Sequence, residues 1–217
     1  MDLRIKSFEE YKQVYQKSVD QPEVFWAAIA EHFTWQKKWD KVLEWDFKTA
    51  HTTWFSGAKL NITENCIDRY ADTTPNATAL LWEPNNPEED FRKITYKELH
   101  AKVSQFAHVL KNNGAKKGDR ICIYMPMVPE LAIAVLACAR IGAVHSVVFG
   151  GFSAQSIADR ILDAQCNLVI TADGGFRKGS AFGLKVAVDE AIENMPSVKH
   201  VLVVKRTGQE VAWGAKD

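Results

Sequence analysis

The sequence predicts an α/β fold: a parallel sheet flanked by helices, preceded by a helical, tryptophan-rich N-terminal extension. Two observations predict it. From Thr95 onward, short apolar runs alternate with helical stretches at the spacing of right-handed crossovers. Those runs are continuously apolar, as in strands covered on both faces. Ahead of them, residues 1–75 read as an extension of helices and irregular chain, so residues 76–217 are expected to form the α/β subdomain.

Taken in order, residues 7–33 read as two amphipathic helices. Ser7 is the N-cap of the first, with Glu10 three residues on completing a capping box. Phe8, Tyr11, Val14 and Tyr15 follow helical spacing. Pro22 opens the second, which places Phe25, Trp26, Ile29 and Phe33 on one face. Trp35, Trp39, Trp45, Phe47, Trp54 and Phe55 then predict an irregular arm pinned by large aromatic side chains. A helix is expected over 61–75, closed by Thr73-Thr74-Pro75. Short strands at Ala79–Glu83 and Lys93–Thr95 flank a polar loop at 85–90, whose residues suit an exposed hairpin tip.

Thr95 caps a helix that Gly114 stops. Strands follow at 120–124, 143–149, 167–171 and 200–204. Helices are expected from Pro129 to near Gly142, from Ser153 through Ala164, and over 184–194. Residues 173–183 read as a loop.

Composition narrows the functional classes. The chain is 47% hydrophobic and 25% charged, as soluble globular proteins are. Lys plus Arg equals Asp plus Glu at 27 each, so no global charge draws the chain to nucleic acid or an anionic membrane. Any anion must therefore be held locally. No apolar run approaches the roughly 20 residues of a membrane span. The opening Met1-Asp2-Leu3-Arg4 has no signal-peptide core. Cys66, Cys122, Cys138 and Cys166 are too widely spaced for a zinc module or a disulfide framework, and read as buried thiols in a reducing, cytoplasmic setting.

Two segments fall at strand carboxyl ends, where open α/β sheets gather ligands. Phe149-Gly150-Gly151-Phe152-Ser153 lets backbone approach a ligand closely just before a helix start, and also suits a tight turn with Ser153 as N-cap. Gly174-Gly175-Phe176-Arg177-Lys178-Gly179-Ser180 reads as a flexible backbone cradle with two cations, suited to a phosphate, or as a solvated basic loop. No spaced-glycine dinucleotide fingerprint, Walker loop or serine nucleophile elbow occurs. The histidines show no metal-ligand spacing, and His145, within a strand, reads as a core residue. No catalytic residue and no metal ligand is assigned.

The same segments carry a resemblance. Trp54-Phe55-Ser56-Gly57-Ala58-Lys59-Leu60-Asn61 with Asn65-Cys66-Ile67-Asp68-Arg69, Ile94-Thr95-Tyr96-Lys97-Glu98-Leu99, and Gly142 through Ser153 resemble motifs of the AMP-forming acetyl-CoA synthetases, within the adenylate-forming enzymes. The resemblance implies the first part of that family's large N-terminal domain. It implies a two-step ligation in which acetate and ATP give acetyl-AMP and pyrophosphate, and CoA then displaces AMP, with Mg2+ serving the first step. It places Phe149, Gly150, Gly151 and Arg177 at CoA, with Lys178, Gly179 and Ser180 beside them. Ser180 stands where the family often has a second basic residue, Ala58 replaces a glycine, and Tyr70 stands where histidine is common.

The family's ATP phosphate loop, acyl pocket and C-terminal lid with its catalytic lysine have no counterpart in these 217 residues. A truncated chain that is inactive alone is therefore expected. Propionate or another short acyl group is an alternative substrate. A non-catalytic nucleotide-binding module and a docking module built on Trp35–Phe55 are alternatives of other classes.

Overall fold

A computed structural model describes residues 4–217; Met1–Leu3, on which part of the N-terminal reading rests, lie outside the described residues. The chain forms two compact units, one ending at Asn65 and one spanning Cys66–Asp217.

In the first unit, helix α1 (Phe8–Asp20) starts at Ser7, whose hydroxyl accepts from the Glu10 N–H at 3.1 Å. Glu10 returns the contact to the Lys6 N–H at 2.6 Å, one residue ahead of the expected capping-box partner. Helix α2 (Pro22–Ala30) begins on its proline and buries Phe25. The expected irregular arm is in part a β-hairpin. Strands β1 (Lys41–Asp46) and β2 (His51–Ser56) pair antiparallel, with Leu43 opposite Trp54. No Asn-Gly turn marks it in the sequence; its loop closes with Ala50 at φ 53°. Trp35, Trp39 and Phe55 pack with ring centroids 5.2–5.5 Å apart, while Trp45 and Phe47 stand exposed. The Asn65 amide clamps the entry to this arm, accepting from the Thr34 N–H at 2.7 Å and donating to the Thr34 carbonyl at 3.0 Å.

The segment Glu64–Asp68 is a π-helical turn followed by α3 (Arg69–Thr73). Strands β3 (Thr78–Trp82) and β4 (Arg92–Thr95) pair antiparallel around the polar loop. Helix α4 (Tyr96–Asn112) carries the full capping box: Thr95 Oγ1 accepts from the Glu98 N–H, and Glu98 accepts from the Thr95 N–H.

The core is a four-stranded parallel sheet of β5 (Arg120–Met125), β6 (Val144–Phe149), β7 (Leu168–Ala172) and β10 (His200–Val204), in the spatial order β10-β7-β5-β6. Helices α5 (Pro129–Ile141), α6 (Ala154–Ala164) and α7 (Lys185–Ile192) connect it. Side-chain alternation along β5 explains its unbroken apolar run. Ile121, Ile123 and Met125 enter the core beneath α4 and α5, while Cys122 and Tyr124 enter the one beneath α6 and α7. This is the predicted parallel sheet flanked by helices.

Two further expectations fail. His145 is exposed, on β6, which is the last strand of the sheet. The loop expected at 173–183 is a second hairpin, β8 (Gly174–Arg177) and β9 (Ser180–Gly183). Its two-residue turn, Lys178-Gly179, has φ 50° and 77°, the double left-handed conformation whose twist matches that of paired strands. The cysteines are free thiols, and burial pushes Cys122 and Cys138 up to about 12. Those two thiols are therefore inert at neutral pH.

Candidate functional site

After β5 the chain steps outward to β6, recrosses β5 to reach β7, then continues to β10. The strand order thus reverses between β5 and β7, and a crevice opens at their carboxyl ends. The turn after β6 and the β8–β9 hairpin flank it. A cavity of about 440 Å³ is lined by Met125, Pro126, Phe149, Gly150, Gly151 and Arg177, among others. A second, also about 440 Å³, shares Gly150, Gly151 and Arg177 and adds Lys178 and Ser180.

The turn is built for close approach. A Cβ at Gly150 would lie 3.1 Å from the Met125 carbonyl, and one at Gly151 would lie 3.0 Å from the Phe149 ring. The Gly151 and Phe152 N–H groups both donate to the Phe149 carbonyl, at 2.7 and 3.0 Å. Tyr124, 2% exposed, donates its hydroxyl to the Phe152 carbonyl at 2.9 Å, tying the turn to β5. Burial raises the Tyr124 pKa, which keeps that proton in place. Ser153 caps α6 through the Ser156 N–H.

Arg177 faces this turn: its Nη1 lies 3.7 Å from the point where a Gly151 Cβ would stand. Arg177 and Lys178 are exposed and make no ion pair among the described residues, whereas Arg206 pairs with Glu89. The lining of both cavities contains no carboxylate, so their local field is positive. An anion held here gains a planar guanidinium and an ammonium without displacing an internal partner.

Six of the seven sequence-predicted site residues therefore meet: Phe149, Gly150, Gly151, Arg177, Lys178 and Ser180. Gly179 lines neither cavity; it completes the hairpin turn, and a Cβ there would meet nothing within 4 Å. The flexible cradle expected here is a structured two-stranded ribbon, whose backbone groups serve the hairpin pairing. Sequence reasoning missed Tyr124, Trp82 and Arg206. Of these only Tyr124 left a trace, as a polar group ending an apolar strand.

These features define a class: an α/β protein with an open parallel sheet and a cationic crevice at its topological switch point. Residues 67–217 match the family model described as AMP-binding enzyme, so the chain belongs to that family. Residues 11–66 match the model of the acetyl-coenzyme A synthetase N-terminus. The acetyl-coenzyme A synthetase of Saccharophagus degradans is 53% identical over 209 residues, which cover 96% of this chain and 32% of that protein. That of Bdellovibrio bacteriovorus is 55% identical over 203 residues, covering 93% and 32%. The acetoacetyl-CoA synthetase from Streptomyces lividans superposes with a TM-score of 0.83 at 29% identity, covering 91% of this chain and 30% of that one. The chain spans about a third of the length of the curated relatives it matches.

Proposed function

We propose that this chain supplies part of the CoA site of an AMP-forming acetate–CoA ligase, with Arg177, Lys178 and the Phe149-Gly150-Gly151 turn receiving the nucleotide end of CoA. One observation carries the reading: the Arg177 guanidinium, which makes no ion pair among the described residues, lies 3.7 Å from where a Gly151 Cβ would stand at the switch-point crevice. In the proposed reaction an acetate oxygen attacks the α-phosphorus of ATP, and the bond to pyrophosphate breaks. The CoA sulfur, having given up its proton, then attacks the acetyl carbonyl carbon, and AMP leaves with the electron pair of the broken C–O bond. The role of these residues is to hold CoA by its phosphates, with Ser180 offering a hydroxyl opposite Arg177 across the hairpin. Mg2+ is held by carboxylates together with substrate phosphates, and the lining of both cavities contains no carboxylate. In this reading the ion travels on the phosphates of ATP. Among the described residues no helix is long and apolar enough to cross a membrane, and the four free thiols accord with a cytoplasmic setting.

Calorimetric titration of CoA tests the site. Binding is expected to weaken about tenfold or more in Arg177→Ala, the loss of one charge-assisted contact, and to weaken similarly for dephospho-CoA with the unaltered chain. Equal affinity of Arg177→Ala and the unaltered chain for CoA contradicts the assignment. The chain on its own is expected to show no acetate-dependent ATP–pyrophosphate exchange. Isotope exchange above background would refute that half of the reading.

A further inference from the structure

The hairpin that bears Arg177 consists of two four-residue strands that, among the described residues, pair only with each other. A lone two-stranded ribbon is marginal in water, so something outside it must fix Arg177 in place. Phe176 and Arg177 are neighbours on β8, and their side chains leave opposite faces. Whatever holds the Phe176 ring therefore aims Arg177.

The Arg206 guanidinium holds that ring. It lies 5.0 Å from the Phe176 ring centroid and 5.1 Å from that of Trp82. Its Nη1 and Nη2 each donate to a Glu89 carboxylate oxygen at 2.9 Å, a two-pronged contact that fixes the guanidinium plane. The Arg206 side chain is 17% exposed. Its backbone N–H donates to Asp173 Oδ1 at 2.7 Å, anchoring it at the root of the hairpin. Trp82 is held in turn, donating its indole N–H to the Met127 carbonyl at 2.8 Å, with Arg92 4.7 Å from its ring centroid. Glu89 belongs to the polar loop between β3 and β4, which the sequence presents as a free tip.

We propose that Arg206 is the positioning residue of the Arg177 hairpin: stacked between Trp82 and Phe176 and locked by Glu89, it sets the face from which Arg177 meets the Gly150-Gly151 turn. The consequence for CoA rests on the function proposed above; the clamp does not. Lysine cannot replace Arg206, because an ammonium has neither the plane to stack nor the fork to bind two oxygens. The Arg206 hydrogen bond, with its charge close by, holds the Glu89 carboxyl below its ordinary range in spite of some desolvation, so the pair is intact at neutral pH.

The test is amide hydrogen exchange on the whole 217-residue chain, with CoA and dephospho-CoA titrations, in Arg206→Lys and Glu89→Gln. Both variants keep a polar partner across the contact and leave the parallel sheet untouched. Exchange over residues 174–183 is expected to accelerate about tenfold or more in Arg206→Lys, with β5 and β7 unchanged. The preference for CoA over dephospho-CoA is expected to shrink, because Arg177 loses its aim; general loosening would weaken both ligands alike. Unchanged hairpin exchange in both variants overturns the proposal. So does equal acceleration of β5 and β7, which would make Arg206 a support of the whole fold. If the hairpin responds but the unaltered chain binds no CoA, the clamp stands and the CoA reading falls.

Discussion

Replacing Lys185 by methionine is expected to lower the unfolding free energy by about 3–5 kcal/mol, the usual result of removing one partner from a buried ion pair. Lys185 is the first residue of α7 and only 1% exposed. A cation at a helix N-terminus opposes the macrodipole, so neither position nor burial favours it by itself. Its partners do. Nζ donates to Asp189 at 2.6 Å, to Asp217 at 3.1 Å and to the Ala212 carbonyl at 3.2 Å. The Asp217 side chain is 5% exposed, whereas that of Asp189 is 39% exposed and can turn to water. Methionine fills the space of lysine but leaves the Asp217 carboxylate buried, with the Gly214 N–H as the remaining partner of that side chain among the described residues. The double change Lys185→Met with Asp217→Leu removes both charges and is expected to recover most of the loss. Urea unfolding followed by tryptophan fluorescence measures each. If the double variant is as unstable as the single one, the loss came from shape and not from stranded charge.

The sheet was legible in the sequence because its strands are buried on both faces. Ile121 to Met125 has apolar side chains in two separate cores, and only a central parallel strand needs that. The same rule misplaced His145, since an edge strand carries the same kind of run with one face open, and periodicity does not number the strands of a sheet. The β8–β9 hairpin was illegible for a different reason. Its strands are four residues long with glycines at their outer ends, and its turn is Lys-Gly, where the usual signal is Asn-Gly or Asp-Gly. At the candidate site, residue type alone left two readings open: Arg177 in its glycine-flanked loop suits a phosphate or a solvated basic loop, and the Gly150-Gly151 pair suits a ligand or a plain tight turn. Arg206 gave no signal, because its meaning lies in Glu89, 117 residues away in sequence, and no local pattern records that contact.

Asp173→Ala is expected to cost on the order of 3 kcal/mol and to loosen the hairpin that bears Arg177. The carboxylate stands at the carboxyl end of β7 and is 4% exposed. It accepts from the N–H groups of Gly174 at 2.7 Å, Arg206 at 2.7 Å, Thr207 at 3.0 Å and Gly208 at 2.6 Å. One side chain thus joins the root of β8 to the segment after β10 that carries Arg206. Burial alone would raise its pKa; the four backbone N–H groups outweigh that and hold it below the ordinary carboxyl range. The sign of the pH effect follows. A depressed folded-state pKa contributes stability that is fully present above the unfolded-state value of about 3.9 and is lost as pH falls through the lower folded-state value. Asp173→Asn keeps the size but not the charge, and its single carbonyl oxygen cannot take four donors. The stability gap between the unaltered chain and Asp173→Asn should therefore be flat from about pH 5 to 8 and narrow below about pH 4. Urea midpoints across that range decide the matter. A gap that stays constant in acid would mean that the four N–H groups need only a neutral acceptor. A gap that widens would mean that burial dominates and that the carboxyl is protonated in the folded protein. In either case charge at Asp173 would not be what orders the hairpin; Asp173 would act as a neutral acceptor for the same N–H groups.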